Sequence, residues 1–125
     1  MTPVENLVSR YVAVWNEPDP SRRRQAIAAL WAEDGAHFTP SLEARGYEAI
    51  EARITGAHDR FVRAEGYVFS AAHTGAGHHD AVTFSWEMRP AGGGPVAARG
   101  FHFFVLDEDG RIRRDYQFAE APPAA

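Results

Sequence analysis

His102 and Asp115 are the residues whose types and spacing best suit acid–base chemistry. They lie in the closing stretch GFHFFVLDEDGRIRRDYQF, where two apolar-rich runs flank Asp107-Glu108-Asp109-Gly110. A plain core strand would need neither polar residue. With Glu108 and Asp109 at the tip of a hairpin, counting back sets His102 opposite Asp115. Directly opposed residues share a face, with Cβ atoms about 5 Å apart. A carboxylate at that distance fixes the imidazole tautomer and favours imidazolium, leaving the other ring nitrogen or the free carboxylate oxygen for a substrate. The same pair could equally be a satisfied structural contact that pins the hairpin register. Alternation puts Gln117 on the same face as a pocket hydrogen-bonder; Arg113, nearer the turn, is expected in solvent. Tyr11 falls on the apolar stripe of the first helix, and His37 and Thr39 share a face of a short strand as ligand contacts. Trp15, Trp31, Phe84, Trp86 and Phe104 supply apolar walls or core.

The elements that must position these residues follow from apolar periodicity. Val4, Leu7, Val8, Tyr11, Val12 and Trp15 recur at helical spacing, which predicts a helix over 4–16 that Pro18 and Pro20 stop. A second helix is expected over 21–32, with Ile27, Leu30 and Trp31 inward and Asp34-Gly35 ending it. Residues 36–39 read as a short strand, 41–46 as a loop and 47–63 as a third helix. From Gly66 the period becomes two, which predicts strands over 67–74, 81–89, 96–106 and 111–119. The order α-α-β-α-β-β-β-β argues for an α+β domain over 1–119. Its expected form is a cone-shaped, curved antiparallel sheet with three helices over the concave face. A pocket open at one end is a common ligand site in such an arrangement. Residues 120–125, with two prolines, read as a flexible tail.

Composition narrows the function. The net charge of −4 carries no electrostatic footprint for nucleic acid, and Arg22-Arg23-Arg24 reads as a solvated helix face. Cysteine is absent, which rules out thiolate chemistry and fits a reducing, cytoplasmic setting. No signal peptide or membrane-spanning run is apparent. His73, His78, His79 and Asp80 have a metal flavour, but adjacent histidines on a strand point to opposite faces, and no metal or other cofactor is expected.

Arg10-Tyr11-Val12-Ala13 with Asn16, Leu30-Trp31-Ala32-Glu33-Asp34-Gly35, Gly46-Tyr47-Glu48-Ala49-Ile50 and the closing hairpin together resemble the nuclear transport factor 2-like superfamily. That superfamily includes ketosteroid isomerases and SnoaL-type polyketide cyclases. The resemblance implies that Tyr11 matches the isomerases' oxyanion-donating tyrosine and His102 their second donor. Their general base falls on Thr39, which cannot serve as one, so steroid-type isomerisation by that mechanism is not implied. Asp115 resembles the cyclases' acid–base aspartate, and His102 its neighbouring histidine. The arginine–aspartate arrangement of limonene-type epoxide hydrolases is absent. The implied protein is a cofactor-free cyclase or isomerase acting on an apolar, carbonyl-bearing metabolite. In it Asp115 is the acid–base group, His102 its partner and Tyr11 a further donor. The alternative is a non-catalytic ligand-binding or dimerisation module with a vestigial pocket. The resemblance also implies a homodimer through the outer sheet face, where Phe101, Phe103 and Val105 need cover.

Overall fold

The computed structural model describes residues 2–73 and 75–119. Helix α1 (Pro3–Asn16) opens with the Thr2 side chain accepting from the Glu5 N–H at 3.1 Å, and buries Leu7, Val8, Tyr11, Val14 and Trp15. Its last residue, Asn16, works as a piece of sheet. The side-chain amide donates to the Phe69 carbonyl at 2.8 Å and accepts from the Phe69 N–H at 2.9 Å, which fixes the end of the helix to a strand. Helix α2 (Pro20–Leu30) stops before Trp31, one correction to the expected boundary. Trp31 instead begins strand β1 (Trp31–Thr39), and Asp34-Gly35 marks an irregularity within that strand. At Gly35 a Cβ would lie 2.8 Å from the Ile112 carbonyl, so the close approach of the last strand selects glycine.

The expected loop at 41–46 is strand β2 (Leu42–Arg45), folded back on β1. Helix α3 (Gly46–Ala57) gives way to a π-helical turn over His58–Arg63, where a single α-helix was expected. Buried His58 explains part of this: its Nδ1 sits 3.0 Å from the Trp15 carbonyl, one of the last of α1 and in need of a donor. Strands β3 (Tyr67–Ala71), β4 (Ala76–His78), β5 (Ala81–Pro90), β6 (Ala98–Leu106) and β7 (Ile112–Ala119) complete the chain. The expected tail lies outside the described residues. Thr74 does too, and the strand expected to run to it stops at Ala71.

The sheet order is β2-β1-β7-β6-β5-β3, with β4 also on β5. It has seven strands and is mixed, because β1 and β7 pair in parallel where an all-antiparallel sheet was expected. Hairpins dictate antiparallel neighbours, but no turn joins β1 to β7, so no local signal sets their direction. The inner face presents Val82, Phe84, Met88 and Phe104 to the helices, and Tyr11, Trp31 and Ile54 meet them in the core.

The closing hairpin differs from the counted register by two residues. Asp107 N–H bonds to the Arg111 carbonyl at 2.8 Å, enclosing three residues instead of two, and Gly110 takes φ +80°. A register irregularity between Val105 and Leu106, with Arg113 unpaired on the opposite strand, adds the second shift. His102 therefore pairs with Gln117, and Asp115 with Phe104. Two single-residue shifts preserve the face, so His102, Asp115 and Gln117 all still point inward.

Gly100 lies under the Trp86 indole, where a Cβ would come within 2.7 Å of ring carbon Cζ2 and would also collide with the Phe118 carbonyl. Gly100→Ala is expected to cost about 3 kcal/mol, read from urea midpoints. Gly92→Ala, in open space, should cost under about 0.5 kcal/mol.

Candidate active site

Asp115 is the centre of the polar cluster. It has no solvent-exposed surface, and three elements converge on it. His102 Nδ1 on β6 lies 2.7 Å from Oδ1, and His37 Nδ1 on β1 lies 2.7 Å from Oδ2. The Tyr11 hydroxyl on α1 donates to Oδ2. His37 is in register with Asp115 across the parallel pair, which is how that pairing builds the site. Burial by itself would push the Asp115 carboxyl up; the facing rings and N–H groups of His102 and His37 outweigh it and hold the group well below the usual carboxylate range. Burial first, then the Asp115 charge, raises the Tyr11 hydroxyl well above its ordinary value, so it stays a donor.

An ionised carboxylate only accepts hydrogen bonds, so both Nδ1 atoms carry protons and both tautomers follow. The two histidines then part ways. Nε2 of His37 faces the Arg53 guanidinium, with Nε at 3.4 Å, and arginine can only donate. His37 is thereby fully engaged. Nε2 of His102 has no protein partner among the described residues, and His102 borders a cavity of about 340 Å³. The ring is fixed by Phe84, stacked at 5.2 Å and 8°, and by the edge of Tyr11 at 4.9 Å.

The cavity walls are apolar: Val12, Trp15, Phe61, Phe69, Trp86 and Met88 contribute. Of the residues singled out from sequence, His102, Tyr11, Gln117, Trp15, Phe84 and Trp86 line it. Asp115 does not reach the cavity, and His37 lies behind Arg53. Phe104 is buried against Tyr11, at 4.7 Å between ring centres, and Thr39 sits at the β1–β2 turn, its hydroxyl accepting from the Ser41 N–H at 3.3 Å. Both are outside the cavity lining. Arg53 and Arg60 line the cavity and were missed. Arg53 follows Ile50 by three and precedes Ala57 by four, so the spacing of α3 already put it at the edge of the buried stripe. Its partners are the Gln117 amide oxygen at 3.3 Å, His37, and the Trp15 ring, 5.4 Å from the guanidinium carbon. Among the described residues, no group of three acidic, histidine or cysteine side chains is arranged to hold a metal ion. No helix is long and apolar enough to cross a membrane.

A mixed, unclosed sheet of seven strands packed against three helices is the nuclear transport factor 2-like architecture. A protein of that type and unknown function from Exiguobacterium superposes with a TM-score of 0.70 at 15% identity, over 93% of this chain and 99% of the other. The model of the SnoaL-like domain matches residues 8–115, and the chain belongs to that family. A protein from Agrobacterium tumefaciens, provisionally named an isomerase of the SnoaL-like family, shares 32% identity over 97% of this chain and all of its own, with a TM-score of 0.86. One from Sinorhizobium meliloti, provisionally named a polyketide cyclase, shares 17% over 90% and 94%, with a TM-score of 0.67. No curated protein matches.

The depressed Asp115 carboxyl has a signed consequence. Its unfolded value is about 3.9, so the stability it contributes is complete above about pH 4 and is lost as pH falls further. At neutral pH Asp115→Asn is expected to cost about 3 kcal/mol. Urea titrations from neutral pH downward should show the gap between wild type and Asp115→Asn closing in acid; a gap of constant size would contradict an ionised Asp115.

Proposed function

We propose that this chain is an enzyme that moves a proton at a carbon next to a carbonyl, in an isomerisation or a ring closure. The observation that carries the reading is His102. Its Nδ1 is locked to a buried carboxylate, while its Nε2 is unpartnered at the wall of an apolar cavity. Nε2 takes the proton from the C–H, and the bonding pair moves into the carbonyl to make an enolate. The imidazolium that forms is stabilised by Asp115. The Gln117 amide oxygen accepts from Arg53, which turns its N–H2 group toward other partners, and this group donates to the enolate oxygen. In isomerisation the imidazolium returns its proton to a different carbon. In ring closure the enolate carbon attacks a second carbonyl, and the proton goes to the alkoxide.

These roles differ from a direct one for Asp115. The carboxylate is a positioning residue, since it reaches no cavity. Tyr11 has one proton and gives it to Asp115, so its part is to hold the carboxylate. The test is exchange of α-protons in D2O across a panel of aryl ketones and aryl oxo acids, followed by NMR. Wild type should accelerate exchange over buffer, and His102→Ala should lower the rate by about 10²–10⁴. Exchange at the wild-type rate in His102→Ala, or none above buffer in wild type, would overturn the reading.

We also infer a homodimer through the outer sheet face. Phe101, Phe103 and Phe118 are 38%, 40% and 45% exposed there, with Phe101 and Phe118 stacked at 4.7 Å. The ion pairs Glu43–Arg45 and Glu87–Arg89 flank this strip at opposite edges. A two-fold axis through the strip would set each pair against the other. Light scattering at micromolar concentration should give twice the chain mass, and Phe103→Arg should give the monomer; a wild-type monomer excludes this interface.

A further inference from the structure

The cavity wall is rich in donors and poor in acceptors. Arg53 and Arg60 both line it, no acidic side chain does, and this holds in a chain of net charge −4. Among the described residues neither arginine forms an ion pair. Arg53 uses Nε on His37 and Nη2 on Gln117, which leaves Nη1 without a protein partner among the described residues. Arg60 lies with its guanidinium carbon 4.8 Å over the Phe61 ring. The Trp86 indole N–H, also at the cavity, is buried without an acceptor among the described residues. Arg53 is half-buried and Arg60 exposed, so the cost of an unreceived donor falls on the Trp86 N–H and, in part, on Arg53, unless a ligand supplies the acceptor. Asp115 cannot, because His37, His102 and Tyr11 surround it.

We propose that the substrate is a carboxylate with an apolar body, its anionic end held by Arg53 with Arg60 alongside. This deepens the proposed function and rests on that reading of the cavity. It makes the substrate an oxo acid whose enolisable carbon faces His102 while the carboxylate anchors it. The free Nη1 of Arg53 can donate to a carboxylate oxygen, and such a charge-assisted hydrogen bond is roughly twice as strong as a neutral one. A phosphate dianion is disfavoured, because it would add a second negative charge in a cavity already backed by ionised Asp115. The cavity volume of about 340 Å³ suits a ligand at the small end of the usual range.

Binding and turnover separate the two proposals. Trp15 and Trp86 line the cavity, so quenching of their fluorescence reports occupancy. The probes are 4-phenylbutanoate and its methyl ester, at neutral pH and low salt. Wild type should bind the acid on the order of tenfold more tightly than the ester. Arg53→Gln should abolish that preference, and Arg53→Lys should retain part of it. Arg60→Gln, remote from the Asp115 cluster, should reduce acid affinity by about threefold. His102→Ala should keep the preference while losing α-proton exchange, so a failure of the catalytic reading leaves this one standing. Equal affinity of wild type for acid and ester would overturn the proposal. So would a preference that survives in the Arg53→Gln/Arg60→Gln double variant with its thermal transition intact.

Discussion

A carboxylate with no exposed surface is the constraint on which this structure turns. Ionised, Asp115 must be met by donors or its desolvation would cost several kcal/mol. The donors come from α1, β1 and β6, so the charge is satisfied only when the helical layer, the first strand and the penultimate strand have all docked. Removing any one leaves a lone pair unmet in an apolar interior. The polar cluster thus links three elements that apolar contacts alone would hold less specifically.

That requirement accounts for the form of the sheet. Closing β1 against β7 in parallel aligns His37 with Asp115. Along β7 the next inward residue is Gln117, paired with His102. Phe84, stacked on His102, is in register with it across β5 and β6, so the wall of the cavity and the orientation of the imidazole come from one arrangement of strands. Asn16 fixes the other end of α1 to β3, which leaves Tyr11 little freedom to swing away from the carboxylate.

Much of this was legible in residue types and periods, because a polar residue at an inward position of an apolar strand violates the local pattern. His102 and Asp115 announce themselves in that way, and a period of two keeps them on one face even when the register is miscounted. The miscount came from a three-residue turn and an irregularity of one residue, neither of which has a signature beyond Gly110. His37 was visible as a residue but not as a partner of Asp115. Its contact depends on a parallel pairing that brings together residues 78 apart in sequence and that no turn dictates. The π-helical turn and β2 were invisible for a related reason: each exists because of what it packs on. Arg53 was overlooked because a cation at the edge of a helical stripe resembles a solvated residue until the sheet beneath it is known to bend.

The last step concerns why two histidines on one carboxylate do different things. Both use Nδ1 on Asp115 at 2.7 Å, and both rings are buried. Local chemistry on the carboxylate side is therefore the same, and the difference lies at the far nitrogen. At His37 that nitrogen meets a guanidinium, which cannot accept a proton and would repel an imidazolium. At His102 it meets a cavity with apolar walls. A proton arriving at His102 makes an imidazolium facing a carboxylate. A proton arriving at His37 would make one facing an arginine. The asymmetry leaves the far nitrogen of His102 open to the cavity and places His37 as a spacer between the Arg53 guanidinium and the Asp115 carboxylate. Arg53 thereby uses two edges of one guanidinium: Nε faces His37, and the group borders the cavity beside His102.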